Sequence, residues 1–512
     1  MKLLENLFAA LNAVLSFVTP VSDVFWDFPK MFGFWKDIPV LGSFSLAIIV
    51  LVGSGIYFTL RLGFVQIRQF MTGVRTLATR RSIHTGISPL AAFLLSTAMR
   101  VGPGNMIGVT GAIAAGGPGA LFWMWISAFF GMATAFTEGT LAQIFKEKRG
   151  DNFVGGLPFY ARRLCGNKAW VGVALSALYI FYALMCLPAQ GLNVITALGS
   201  IVGLVGGEEI PLQSTFYYVM SILLLVFITF MAFGGIKRIS RWADILVPVM
   251  AVIYIGTVIL LILTNLGSVP YFFHAVFAGA FKPEAVFGGV LGTALLQGVK
   301  RGLMSNEAGQ GTITMAAASA EAHHPCEQGI ISALGVFLDT HVICTMTGFI
   351  IIMAHQWALN PEEWKAAGTY PKFLLSIHAL TPDLLQTFVM VMVSICFCLF
   401  AYTCVMGFVT FSEISGNRIS SSTSFITVLR LLCVFVTAFG IACSIAGYDL
   451  SNLWAFSDLA NIIMVYCNVP MLYLGFRYVR KAAAHYAKND GTPFTSETIG
   501  MKVDYWDERK DD

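Results

Sequence analysis

The sequence predicts an all-α polytopic membrane protein of about eleven transmembrane helices, arranged as an inverted repeat of five-helix halves. Three observations carry this. Of 512 residues, 57% are hydrophobic and 12% charged, with mean hydropathy +0.74, whereas soluble domains run near 25% charged. Eleven apolar stretches approach the roughly 20 residues needed to cross a hydrocarbon core. Glycine and proline interrupt two of these stretches at corresponding places in halves of opposite orientation.

The segment 1–43 reads as interfacial. Leu4, Leu7, Phe8, Leu11 and Leu15 share one helical face, and Trp26, Phe28, Phe32, Phe34 and Trp35 follow as interfacial aromatics. Glu5, Asn6 and Asn12 break any signal-peptide core. The spans then fall near 44–62, 87–115, 119–145, 170–203, 214–234, 242–266, 284–300, 329–354, 385–411, 425–447 and 454–478. They form one transmembrane domain over 44–480, with halves at about 87–266 and 284–478, and a polar tail over 481–512. Basic residues collect in the loops after odd-numbered spans, as in Arg61 to Arg81, Lys146 to Lys168 and Arg477 to Lys481. Cytoplasmic loops gather Lys and Arg. The expectation is therefore an N-terminus outside and a C-terminus inside, in an inner or plasma membrane.

The second span carries Ser96-Thr-Ala-Met-Arg-Val-Gly-Pro-Gly-Asn-Met-Ile-Gly-Val109. Glycine and proline disfavour a helix interior by about 1 and 3 kcal/mol, so this helix should open near its middle. Non-helical backbone survives at that depth only inside protein or along a watery cavity. There its freed N–H and C=O groups can hold a solute and an ion. The seventh span carries Gly288-Gly289-Val-Leu-Gly292-Thr293-Ala-Leu-Leu-Gln297-Gly298 and is expected to open there. Oppositely oriented broken segments in matching positions point to a secondary transporter.

Other classes fit poorly. No basic block suggests nucleic acid. The ten cysteines lie mostly in apolar sequence with no CxxC, against a disulfide framework or zinc site. His323, His324 and Cys326 read as ordinary loop residues. No metal motif or nucleophile–base pair lies within the spans, so an enzyme is not expected.

Val101-Gly-Pro-Gly-Asn105 with Gly108-Val109, and Gly116-Gly-Pro-Gly-Ala-Leu-Phe-Trp-Met-Trp125, resemble the alanine or glycine:cation symporter family. So do Gly55-Ile-Tyr-Phe-Thr-Leu-Arg-Leu-Gly-Phe-Val-Gln-Ile-Arg68, Gln297-Gly-Val-Lys-Arg-Gly-Leu-Met-Ser-Asn-Glu-Ala-Gly309 and Phe337-Leu-Asp-Thr340 with Cys344-Thr345. The resemblance runs over about 45–480. It implies a LeuT-type fold with one extra helix before a ten-helix core. It also implies sodium-coupled uptake of a small neutral amino acid, alanine or glycine foremost. A proton-coupled or glutamine-type carrier, or a passive channel, are the alternatives.

The half-helix after Gly104 offers free N–H groups and a positive dipole end to a carboxylate. By resemblance Gly102, Gly104 and Asn105 line the substrate site, with Thr293 and Gln297 opposite and Gln190 from the fourth span. An interhelical hydrogen bond would account for Gln190 equally well. The LeuT-type arrangement implies a sodium site of the Ala98, Val101 and Phe400 carbonyls and the Thr403 hydroxyl. This chain departs from the family pattern at Cys404, where a hydroxyl is expected, at Phe408, where tryptophan is frequent, and at Pro103. Phe408 is placed over the substrate side chain. Arg100, a charge at membrane depth, is read as a surrogate for a second sodium ion, compatible with pairing to Glu138, Asp339 or Glu307. Arg301 and Glu307 are placed at the inner end of the seventh span as a gate, followed by an amphipathic helix near 311–321.

Overall fold

The computed structural model describes residues 13, 16–38, 42, 44–79, 85–208, 210–281, 292–446, 451–488 and 491–508. The expected amphipathic face of residues 4–11 and the glycines at 288 and 289 lie outside them. The chain is helical almost throughout. Helix α1 is Val18–Asp27 and α2 is Leu46–Arg61. Helices α3 (Pro89–Arg100) and α4 (Val109–Gly116) are two halves of one interrupted span. There follow α5 (Gly119–Ile144), a hairpin of β1 (Glu147–Arg149) and β2 (Asn152–Val154), α6 (Ala169–Gly206), α7 (Thr215–Ala232) and α8 (Gly235–Thr264). Helix α9 (Val269–Ala280) joins the halves of the molecule. A second interrupted span is α10 (Gly292–Asn306) with α11 (Thr314–Ser319). Helix α12 begins at Pro325–Val336 and passes through a wide turn, Phe337–Cys344, into Thr345–Ala354. The last spans are α13 (Gln386–Ile419), α14 (Thr423–Ile445) and α15 (Ser451–Lys488). Eight helices are long and apolar enough to cross a membrane. With α2 and the two interrupted pairs, eleven spans stand among the described residues, as the hydropathy pattern predicts.

Helix α3 starts cleanly, with Ser88 capping the Ala91 N–H at 3.0 Å and Pro89 in the first turn. It ends for local reasons. Pro103 has no N–H to give the Met99 carbonyl. The Gly102 N–H turns to Asn105 Oδ1 at 2.8 Å, and the Asn105 N–H turns to the Gly102 carbonyl at 3.0 Å. In an unbroken helix those donors would reach the Ala98 and Val101 carbonyls, which are thereby released.

The second interruption lies elsewhere than expected. Gly298 and Gly302 sit inside continuous α10, where an added Cβ would come within 2.6 Å of the Ala120 carbonyl and 2.9 Å of Ser127 Oγ. These glycines serve close helix packing. The helix opens instead after Asn306, where Glu307, Gly309 and Gly311 take φ of 56°, 94° and 83°. A Cβ on Gly131 would meet Ala308 Cβ at 3.1 Å, which puts this break halfway along α5.

The structure departs from the sequence reading, or adds to it, at four further places. Every residue of α11 is buried, so the segment near 311–321 is an inward half-helix and not one lying on the bilayer. Trp26 is 1% exposed, its Nε1–H donating to the Asp458 carbonyl at 3.1 Å; it is a packing residue of α1 against α15. The loop between the halves contains α9, which meets the start of α5 where Gly279 and Gly119 touch. The tail folds back, with Phe494, Ile499, Val503 and Trp506 all buried.

Candidate functional site

The two interruptions face each other, and Asn105 joins them. Its Nδ2 donates to Ser305 Oγ at 2.9 Å, at the end of α10, and to Asp339 Oδ1 at 2.7 Å, in the wide turn of α12. Asp339, fully buried, also accepts from Ser305 and Thr340 hydroxyls at 2.8 Å each. The wide turn makes this possible, because such turns rotate side chains out of regular helical register. The Asn105 carbonyl takes the Thr347 hydroxyl at 2.7 Å, and Tyr254 backs Thr347 at 2.6 Å.

The second break is held from both sides. Glu138 Oε1, on α5, accepts from the Gly311 N–H at 2.9 Å and from Asn468 Nδ2 at 2.6 Å. Asn468, on α15, also donates to the Gly309 carbonyl at 2.9 Å, and Tyr160 donates to Asn468 Oδ1. Glu307 accepts from Thr312 at 2.6 Å. Left-handed backbone at a non-glycine residue is costly, and this set of bonds is what sustains it.

The first break runs through Gly102, Gly104 and Asn105. Cys404 Sγ would stand 2.4 Å from a Cβ on Gly102, and its thiol donates to the Met99 carbonyl at 3.3 Å. Phe408 is buried edge-on to Tyr182 at 5.6 Å. Gln190 lies on the same face of α6 as Tyr182, two turns on, buried with its Oε1 unpaired. Gln297 is half-buried, nine residues before Asn306 on α10 and so roughly 13 Å along the axis from the break. Thr293 is one turn farther, and its side chain lies outside the described residues.

Ala98, Val101, Phe400 and Thr403 are all buried where α13 packs on α3. The Thr403 hydroxyl turns back to the Phe400 carbonyl at 3.0 Å, leaving its lone pairs free to meet a cation. The released Ala98 and Val101 carbonyls and the Thr403 hydroxyl are hard oxygens of the kind sodium takes.

Arg100 is 2% exposed. Its Nε donates to the Asn306 carbonyl at 3.0 Å, so it ties one break to the other, while Nη1 and Nη2 find no acceptor among the described residues. Glu307, Asp339 and Glu138 lie within electrostatic reach of the guanidinium, but none pairs with it directly. An added Cβ at Gly335 would overlap it, 1.8 Å from Nη1.

Arg301 and Glu307 do not form one gate at the inner end. Glu307 is at the midpoint break. Arg301 and Lys300 lie in the half of α10 beside the start of α5, paired to Asp458 at 3.3 and 2.7 Å. Ser305, Thr340 and Asn468 were not singled out from the sequence; polar residues inside apolar spans were the available signal.

A profile of the sodium:alanine symporter family matches residues 34–497. The amino-acid carrier protein AlsT of Bacillus subtilis is 34% identical over 439 residues, 86% of this chain and 89% of that protein. The probable sodium/glutamine symporter GlnT of the same organism is 36% identical over 448 residues, 87% of this chain and 88% of its own. Among solved structures, MhsT in complex with L-phenylalanine superposes with a TM-score of 0.58 at 14% identity, covering 79% of this chain and 93% of that one. That likeness is of fold, the LeuT type.

Proposed function

The chain belongs to the sodium:alanine symporter family, a family of transporters and not of enzymes, and on that premise we propose that it carries a small neutral amino acid, alanine or glycine foremost, inward with sodium. It is a multi-pass membrane protein. The reading places it in a bacterial-type inner membrane with the N-terminus outside and the basic loops in the cytoplasm. The observation that carries the reading is the side chain of Asn105, bonded to the end of the second broken helix and to Asp339 at once. A solute held at one break is thereby felt at the other.

The Asn105, Met106 and Ile107 N–H groups are taken by the Gly102 and Pro103 carbonyls, so the substrate carboxylate is assigned not to free donors but to the positive dipole end of the half-helix after Gly104, beside Asn105. Gln190 and Phe408 are assigned to the far wall, with Cys404 limiting depth. Sodium is assigned to the Ala98, Val101 and Phe400 carbonyls and the Thr403 hydroxyl. Arg100 supplies the charge a second sodium would bring, giving one ion per amino acid. Thr293 and Gln297 belong to the outer approach, on the α10 side of the break.

A second reading has an observation in its favour. Three buried carboxylates, Glu138, Glu307 and Asp339, surround one buried guanidinium, and the excess negative charge favours uptake of a proton as well as sodium. Uphill accumulation of labelled alanine, glycine and glutamine in proteoliposomes under a sodium gradient tests the first reading. Thr403→Val, which keeps the shape and deletes the oxygen, is expected to raise the sodium concentration for half-maximal uptake at least tenfold. An unchanged sodium requirement would remove Thr403 from the ion site. Accumulation that follows a pH gradient without sodium would favour the second reading, and passive equilibration alone would make the protein a channel.

A further inference from the structure

The cytoplasmic ends of the two broken spans are joined by main chain. The Ile87 N–H donates to the Ser319 carbonyl at 3.2 Å, and the Glu321 N–H to the Ile87 carbonyl at 2.9 Å, a short parallel bridge. The Thr85 N–H adds a bond to Glu321 Oε2 at 3.1 Å. Gly86, with φ of 77°, lets the strands close, since a Cβ there would stand 2.5 Å from the Ser319 carbonyl. The bridge lies against the basic hairpin after α5, where the Gly86 N–H donates to the Asp151 carbonyl at 3.0 Å. Alternating access requires it to part.

What holds the bridge from behind is the end of α5. Lys146 Nζ donates to the Ala320 carbonyl at 2.7 Å, and Gln143 Nε2 donates to the same carbonyl at 3.0 Å and to that of Ala317. Lys146 is only 5% exposed. Its ammonium sits in an aromatic cage, 4.0 Å from the Phe153 ring centroid, 4.5 Å from Tyr505 and 5.3 Å from Trp506. Phe153 comes from the hairpin after α5, while Tyr505 and Trp506 come from the tail. Trp506 is also fastened, its Nε1–H donating to the Gln143 carbonyl at 2.9 Å. The tail around it is built, not draped: Asp507 accepts from the Ser496 N–H at 2.7 Å and from its hydroxyl.

We propose that residues 491–508 are a latch on the inner gate: Tyr505 and Trp506 position Lys146 on the Ala320 carbonyl, and through it hold both half-helices shut. The caging rings exclude water from the ammonium, and a desolvated cation–π contact is stronger than an exposed one. When the half-helices swing away, the ammonium loses the Ala320 carbonyl inside a cage that keeps water from replacing it, so the parted state carries a cost that the closed state does not. The tail therefore biases the resting population toward the inward-closed state. The direction of transport assigned above is where the words inner and cytoplasmic come from; the latch itself rests on the contacts.

Hydrogen–deuterium exchange of the purified full chain, without substrate or sodium, tests it. In Trp506→Ala the amides of Ile87 and Glu321 are expected to exchange about tenfold faster than in the parent, with Trp506→Phe in between because it keeps a ring and loses the Nε1–H. Lys146→Met leaves the tail and fills the cage with an apolar chain, and should speed the same amides. It is the deciding variant if Trp506→Ala fails to fold. Unchanged exchange at both amides in folded Lys146→Met would overturn the latch. Because the measurement needs no transport, a failed alanine or sodium assay leaves it standing, and a successful one does not rescue it.

Discussion

A single contact at Gly102 separates what sequence and structure each contribute. The motif Val101-Gly-Pro-Gly-Asn105 is legible as a break because glycine, proline and a short amide cannot continue a helix. What demands glycine at 102 is less legible: Cys404, on α13, occupies the space a side chain would need, at 2.4 Å. Packing an extra carbon into such a space costs about 1–3 kcal/mol. Gly102→Ala should therefore lower initial sodium-driven uptake by about tenfold or more while the Tm in detergent changes little. Adding Cys404→Ala should restore part of the rate, since the two residues share one volume and their effects are not additive. No rescue would mean that Gly102 is needed for its backbone and not for the room it leaves. Asp339 follows the same logic. An acid in an apolar stretch announces itself in the sequence, but its bonds to Asn105 and Ser305 depend on helices brought together only by folding.

At the scale of elements, Lys300 and Arg301 mark where hydropathy reasoning stops. Two adjacent bases end an apolar window, so the seventh span reads as complete and its glycines as the break. The bases are in fact carried inside the helix, because Asp458 on α15 neutralises them at 2.7 and 3.3 Å, a partner no local pattern can reveal. Their side chains keep only 11% and 27% exposure against 11% for Asp458, so the cluster is largely withdrawn from solvent, and removing Asp458 leaves two bases without their counter-charge. The pair ties the first half of the second broken span, α10, to the last helix, beside Trp26. In Asp458→Asn that tie is weakened and, with the orientation proposed above, the outward-open population should rise about fivefold. A cysteine introduced at Leu296, next to the pair along α10, should then react about fivefold faster with a membrane-impermeant thiol reagent. Equal rates would mean that the ion pair anchors the helix without gating it. Helix count, helix order and the first break were thus readable from periodicity and composition. The second break was not, because left-handed backbone at Glu307 exists only with Glu138 and Asn468 holding the loop.

For the molecule as a whole, one contact joins the second half, the last helix and the tail. His324 precedes α12, and its Nδ1 accepts the Cys326 N–H at 3.1 Å. That leaves its Nε2–H to face His485 Nδ1 at 3.2 Å, and His485 Nε2 in turn meets the Thr492 hydroxyl at 2.9 Å. The rings stack at 5.4 Å, with Tyr486 and Phe494 beside them. Burial, and then the neighbouring His485, push the His324 imidazole from its ordinary 6.5 down to about 3. In the unfolded chain the same ring titrates near 6.5. Between these values the unfolded state binds more protons, so stability rises with pH across the window. The contribution is complete above about 6.5 and is lost progressively as pH falls toward 3. At pH 4.5 the loss is on the order of a few kcal/mol, since each pH unit is worth about 1.4 kcal/mol. The Tm of the detergent-solubilised protein should therefore fall on acidification from pH 7.5 to 5. His324→Gln, which cannot take up that proton, should flatten the slope even if it lowers Tm at neutral pH. A slope unchanged by His324→Gln would assign the acid sensitivity to other groups. The expected coupling is global because charging His324 sets its Nδ1–H against the Cys326 N–H at a place where α12, α15 and the tail meet.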